Sequence, residues 1–231
     1  MNTIILNILC EGQTEEQFVK EVLRPYLKGY GIVVKSRLLV TSRKKNANGG
    51  MISYRQAKND LSLWMKEVAH RSSETHYFTT MFDMYALPDD FPGVFQNKTV
   101  SDAYLAVSNI ESTFGTDIDS SRFIPYIQLH EFEALLFCGI EKLSSDYPKC
   151  KKEIETLAEV LHSYQDNPEL IDNSPITAPS KRIIKAIEGS RLYRYNKPTT
   201  GASVTKAIGM EQLTTRCRHF SEWVKKLHSI G

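Results

Sequence analysis

Apolar positions in the first third of the chain switch between two periods. Ile4, Ile5, Leu6, Ile8 and Leu9 form a nearly continuous run closed by Glu11 and Gly12. That is the pattern of a strand buried on both faces and ended by a sharp turn. Phe18, Val19, Val22, Leu23, Tyr26 and Leu27 then recur at helical spacing, with Thr14 as the expected N-cap and Gly29 and Gly31 as stops. The alternation repeats. Ile32 to Val40 predicts a strand, Tyr54 to Ala69 a helix with Ala57, Leu61, Trp64, Met65 and Val68 inward, and His76 to Phe82 another strand. Asp102 to Phe114 predicts a third helix and Phe123 to Leu129 a fourth strand, after which the chain reads as helical with turns at 173–179 and 196–201. Such alternation predicts an α/β fold, with a mostly parallel central sheet flanked by helices and right-handed crossovers. The expected organisation is an α/β core over residues 1–140 and a helical extension over 141–231 packed on it. Residues 42–50 (SRKKNANGG) read as an exposed, mobile loop, and residues 84–98, with two prolines, as a long connection of little regular pattern.

Composition narrows the classes only slightly. Hydrophobic residues at 41% and charged residues at 24% of 231 positions are ordinary for a globular chain and argue against wholesale disorder. A formal net charge of +2 does not mark a nucleic-acid coat, and leaves local basic patches as the place to look for anionic partners. Cys10, Cys138, Cys150 and Cys217 are scattered without a CxxC pair, so neither a disulfide framework nor a structural zinc site is indicated and reduced thiols are expected. The apolar run at residues 3–10 has no basic residues before it and is far shorter than a membrane span, so the expectation is a soluble, cytoplasmic protein with no membrane partner.

In an open α/β sheet the ligand site lies at the carboxyl ends of the strands. Glu11 closes the first strand, Asp83 closes the third, and Glu131 follows the fourth after His130; Glu15 and Glu16 fall in the first turn after Glu11. Gathered carboxylates repel one another and stay ionised only beside cations, and an all-oxygen set suits Mg²⁺ or Mn²⁺. Such ions activate water, hold a scissile phosphate and stabilise the departing oxygen. The bland reading of each acid is a helix cap or a solvated turn residue. If a helix begins at the strand end, His130 and Glu133 share one side and Glu131 sits about a third of a turn away, with Phe132, Leu135 and Leu136 anchoring the segment. Glu131 ranks ahead of His130 and Glu133, and His130 is a candidate to orient a carboxylate or protonate a leaving group. Candidate phosphate contacts are Arg43, Lys44 and Lys45 in the loop, and Lys181, Arg182 and Lys185 on one helix. Arg191, Arg194 and Lys197 beside Tyr193 and Tyr195 form a third basic group suited to backbone contact and base stacking. The alternative for all of these is a solvated face.

The segments EGQTEE at 11–16, FDMYALP at 82–88, LHEFEALLF at 129–137 and IGMEQLTTRCRHFSEWVKKL at 208–227 resemble the DUF4276 proteins, which look like Toprim-related domains. The resemblance covers nearly the whole chain and implies a Toprim-like fold. Toprim domains carry a glutamate after the first strand and a DxD pair after a later one, and occur in topoisomerases, primases and OLD-type nucleases. Glu11 matches the first element and Asp83 the first aspartate; the extra acid of OLD-type nucleases matches Glu15. The sequence departs at the second aspartate, where Tyr85 stands, a poor ligand for a hard cation. Glu131 is the expected replacement, with Asp89 and Asp90 behind it.

The resemblance implies a metal-dependent nuclease acting on DNA or RNA, an effector in anti-phage defence. No GxxxxGK[ST] loop is present, so an ATP-driven step would fall to a separate ATPase subunit. Self-association into a homo-oligomer is left open. The alternative is a non-catalytic Toprim-like binding or scaffold subunit, which Tyr85 favours. Primase or topoisomerase activity is disfavoured because no zinc module, polymerase-like domain or strand-passage domain accompanies the core.

Overall fold

The computed structural model describes residues 2–39, 51–70, 73–171, 174 and 176–231. Its strands are β1 (Thr3–Cys10), β2 (Ile32–Leu38), β3 (Glu74–Asp83), β4 (Phe123–Ile124) and β5 (Ile127–Gln128). They form one parallel sheet in the order β2-β1-β3-β4, with β5 also paired to β3, further along. β1 is central and buried on both faces, as its unbroken apolar run requires. Its even positions Leu6, Ile8 and Cys10 enter one hydrophobic cluster, while Leu9 enters the other.

The first connection is a single helical rod made of α1 (Gln13–Phe18), a π turn (Val19–Leu23) and α2 (Arg24–Lys28). Pro25 has no N–H to give and its ring crowds the preceding turn, which accounts for the widening there. This rod lies on the Leu6/Ile8/Cys10 face. α3 (Tyr54–Val68) and α5 (Ala103–Ile118) cover the opposite face, burying Leu61, Trp64, Ile110 and Phe114 against Phe78 and Phe82. Helices on both sides of a parallel sheet make the chain an α/β fold. A short helix α4 (Val94–Asn97) and a 3-10 turn at Met84–Ala86 give the 84–98 connection more regular structure than its prolines suggest.

Three expectations need correction here. The strand expected over Phe123 to Leu129 is split into β4 and β5, because Pro125 between them has no N–H for the ladder; the Thr80 hydroxyl bridges the gap by donating to the Tyr126 carbonyl at 2.7 Å. The first helix is capped by Gly12, not Thr14, which is buried. The third helix runs past Phe114 to Ile118, and Asp102 is its N-cap, accepting from the Tyr104 and Leu105 amides.

After the sheet, the chain forms a 3-10 segment (Phe132–Lys142), then α6 (Leu143–Asp146), α7 (Lys151–Ser163), α8 (Pro179–Gly189), α9 (Lys197–Ile208), α10 (Met210–Arg216) and α11 (Arg218–His228). These share a core with α1 and β1. Trp223 stacks on Tyr126 with centroids 4.1 Å apart and donates its indole N–H to Thr79, tying α11 to the sheet. The buried Glu169 carboxylate accepts the His219 and Phe220 amides, satisfying the start of α11. Gly201 lets α9 approach closely: a Cβ there would meet Phe132 Cε1 and Thr14 Cγ2, both at 2.9 Å.

Candidate functional site

The strand order reverses direction at the β1–β3 pair: the chain moves from β1 out to β2, then returns across β1 to β3. The crevice at their carboxyl ends is the topological switch point, the preferred ligand position in such sheets. Glu11 and Asp83 meet there. The Glu11 amide extends the ladder by donating to Met81 O at 3.1 Å, and its carboxylate Oε2 accepts the Asp83 N–H at 2.9 Å.

Each acid around this crevice is held by a specific donor. Gly12 leaves room for the Glu15 carboxylate, which turns back to accept the Gly12 N–H at 2.8 Å at the start of α1. Asp83 Oδ1 accepts the Phe132 N–H at 2.9 Å, capping the 3-10 segment. Both Glu131 oxygens are bound at the start of α8, one by the Ser180 N–H and the other by its hydroxyl at 2.9 Å. Three helix N-termini thus face the carboxylates, and their partial positive charge is what lets the acids gather. Glu133 differs. Its buried carboxylate is met not by a backbone amide but by Lys197, whose Nζ lies 2.9 Å from Oε1.

Asp83, Glu131 and Glu133 each present an oxygen such that all three atoms lie within 4.8 Å of one another. Oxygens on opposite sides of a Mg²⁺ ion are about 4 Å apart and those around Mn²⁺ only slightly more, so small side-chain movements would bring the three donors into one coordination sphere. Beside it opens a cleft of about 470 Å³ whose walls include Glu11, Glu15, Asp83, Tyr85 and Lys197.

The electrostatics follow from burial and crowding. Burial pushes the Asp83 carboxyl far above the usual range, and Glu15, Glu11, Glu133 and Glu131 add to it. Glu15 is pushed up to about 7, by burial first and then by Glu11 and Glu133, against the pull of its cap bond. Glu11 is raised by burial although the Asp83 and Met51 amides oppose the shift. Glu131 is raised by burial and Glu133, with Ser180 and Lys197 pulling it back. Burial pulls the Lys197 ammonium down, but Glu133, Glu131 and Asp83 outweigh it and hold the group above the ordinary lysine value. Raised carboxyls and a held-up ammonium are the signature of a site with excess negative charge.

The sequence candidates divide accordingly. Glu11, Glu15, Asp83 and Glu131 come together. His130 does not join them: it has φ +61°, precedes the 3-10 segment rather than lying on it, and lines a separate hollow with Met84, Asn97 and Ala103. The shared helical side expected for His130 and Glu133 is therefore absent, because Glu131 is an extended N-cap and helix begins only at Phe132. Phe132, Leu135 and Leu136 are fully buried as expected. Asp89 pairs with Lys98 at the surface and Asp90 caps α3 through the Tyr54 amide, so neither reaches the crevice. Tyr85 is half-exposed at the cleft, its hydroxyl pushed up to about 12 by burial and then by Glu131 and Asp83.

Among the basic candidates, Lys181 and Lys185 are exposed on α8, while Arg182 donates to the Thr177 carbonyl and the Tyr164 hydroxyl. Arg43, Lys44 and Lys45 lie outside the described residues. Lys197, grouped with the basic residues near Tyr193 and Tyr195, enters the carboxylate cleft, and Glu133, ranked behind Glu131, is equally part of it. The hint for Glu133 is its alternation with Glu131 around an anchoring Phe132; no local signal marks Lys197.

A second buried charge pair, Glu111 with His219 at 3.0 Å, has a structural explanation. Glu111 accepts the Ile127 N–H and His219 Nε2 faces the Ile127 carbonyl, so the pair satisfies the open edge of β5 in place of a further strand. Burial lowers the His219 pKa, but Glu111, Glu169 and the Ile127 carbonyl outweigh it and leave it raised.

A family model described as Domain of unknown function (DUF4276) matches residues 10–228. No curated protein and no solved structure matches the chain. Among the described residues, no helix is long and apolar enough to cross a membrane.

Proposed function

The chain belongs to the DUF4276 family, and we propose that it is a divalent-metal-dependent nuclease of the Toprim type that acts on nucleic-acid phosphodiesters. The observation that carries this reading is the triad of Asp83, Glu131 and Glu133, whose donor atoms fall within 4.8 Å at the switch point of the sheet. The donor set fits Mg²⁺ or Mn²⁺: it is all oxygen and compact, and it includes a buried Glu133 carboxylate whose partner is the mobile ammonium of Lys197. Asp83, Glu131 and Glu133 would hold the ion, with Glu11 and Glu15 lining the adjoining cleft. Bound there, the cation would supply charge neutralisation for a phosphate and activation of water. Asp83 and Glu131 are oriented by the Phe132 and Ser180 donors, so their positions are set before any ligand arrives. Lys197 lines the cleft beside these acids, at the space a phosphate would enter. Lys181 and Lys185 are available for backbone phosphates further out. In this reading the protein is an effector in anti-phage defence, acting on DNA or RNA beside a separate ATPase, since the chain itself carries no P-loop motif.

A second reading is a non-catalytic Toprim-like subunit. It is favoured by Tyr85 in place of a second aspartate and by Glu131, whose two oxygens are already occupied by Ser180. One experiment separates the two. Mn²⁺-induced thermal stabilisation and cleavage of single- and double-stranded DNA and RNA are measured for wild type, Asp83→Asn and Glu133→Gln. The nuclease reading expects metal stabilisation and cleavage in wild type and loss of both in the two variants with the fold intact. Equal metal shifts in all three proteins, with no cleavage, would leave only the scaffold.

A further inference from the structure

Lys197 stands where a cation is needed. Five carboxylates (Glu11, Glu15, Asp83, Glu131 and Glu133) surround the crevice, and among the described residues that line it Lys197 is the one with a positive charge. Its Nζ is 2.9 Å from Oε1 of Glu133, and Glu133 is only 2% exposed. An ammonium this close to a buried carboxylate neutralises it, and does so from a side chain that reaches in along an open cleft.

The lysine is also built to move at its tip and not at its root. Its backbone opens α9, where Asn196 caps the helix by accepting the Thr199 amide at 3.3 Å, and Gly201 seats the helix directly against Thr14 and Phe132. The side chain is 38% exposed and lines the cleft. A long flexible stem on a fixed base can exchange one anion for another a few ångströms away at little energetic cost.

We propose that Lys197 is an exchangeable counter-ion: it neutralises Glu133 while the acid cluster is empty, and passes to an incoming phosphate when a divalent cation takes Glu133. The inference rests on the metal-site reading and adds a coupling to it. Before metal arrives the ammonium competes for the site; afterwards it is free to bind the anion. Cation and phosphate then favour each other beyond their direct contact, because the lysine's position depends on both. The arrangement also keeps the cluster from being an open cation sponge when no phosphate is present.

The test is isothermal titration calorimetry on the full chain, with Mn²⁺ alone in a phosphate-free buffer and then with inorganic phosphate added to the Mn²⁺-loaded protein. Wild type, Lys197→Met and Asp83→Asn are compared. Removing the competitor should tighten Mn²⁺ binding by Lys197→Met about tenfold, and removing the anion partner should weaken phosphate binding to the loaded variant by a similar factor. Mn²⁺ affinity that is unchanged or weaker in Lys197→Met, while Asp83→Asn abolishes binding, would overturn the exchange and leave the metal site standing. Unchanged phosphate affinity would overturn the handover. No Mn²⁺ binding by wild type would overturn both the site and the exchange. Should Lys197→Met lose its far-UV circular dichroism spectrum, Lys197→Gln, which keeps a polar tip without the charge, decides by the same titrations.

Discussion

Glu15→Gln isolates the energetic strain of the acid cluster in the metal-free protein. Glu15 is 6% exposed, and its carboxyl is pushed from the ordinary 4.5 to about 7 by burial and by Glu11 and Glu133. The unfolded chain releases this proton near 4.5, whereas the folded protein keeps it until about 7. Between those values the folded state binds more protons, so stability falls as pH rises through the window and then levels off. The shift corresponds to about 3 kcal/mol of destabilisation once Glu15 is ionised. Glutamine removes that penalty and keeps an acceptor for the Gly12 N–H, whose pull on the charged form is already contained in the shift. Glu15→Gln should therefore be about 3 kcal/mol more stable than wild type at pH 8 in the presence of chelator. At pH 4 the wild-type carboxyl is protonated in both states and the advantage should vanish. Urea denaturation followed by circular dichroism at pH 4, 6 and 8 measures this directly. A variant less stable than wild type at pH 8, or a difference that does not change with pH, would refute the claim that the cluster holds uncompensated charge and reduce Glu15 to a helix cap.

Two further outcomes follow from packing and exposure. Gly201→Ala should lower stability by about 1–2 kcal/mol, because overpacking against Phe132 and Thr14 outweighs the gain in helix propensity; Gly189→Ala, where a Cβ meets nothing within 4 Å, is the control that should not lose stability in the same urea titration. Replacing both Lys181 and Lys185 with alanine should weaken nucleic-acid binding alike across sequences and flatten the dependence of log K on log salt by about 1–2, and an unchanged slope would return these residues to the solvated surface.

What the sequence made legible is what nearest neighbours determine. β1 is buried on both faces, so its residues form an apolar run whose end at Glu11 is visible; β3 ends at Asp83 for the same reason, and parallel pairing of Cys10 with Met81 then brings the two acids to one edge. The 131–142 segment defeated periodicity because every residue from Phe132 to Ile140 is buried. A helix hidden on all sides has no polar face to reveal its period, and here it winds with three residues per turn. The helical side that spacing assigns to His130 fails through a single dihedral: its positive φ places it before the segment rather than on it.

Lys197 illustrates a different limit. Its role depends on α9 docking against α1 through Gly201, an encounter between parts of the chain that carry no shared local pattern. The acids themselves, by contrast, became credible only when their donors were visible. Glu15, Asp83 and Glu131 each sit at the start of a helix, and any one of them alone is the cap its helix would want. A cap, however, needs no company. Three helix starts converging on one strand edge, with Glu133 added and given only a lysine, gather more negative charge than capping requires. That surplus, rather than any single acid, is the physical reason to look for a cation here.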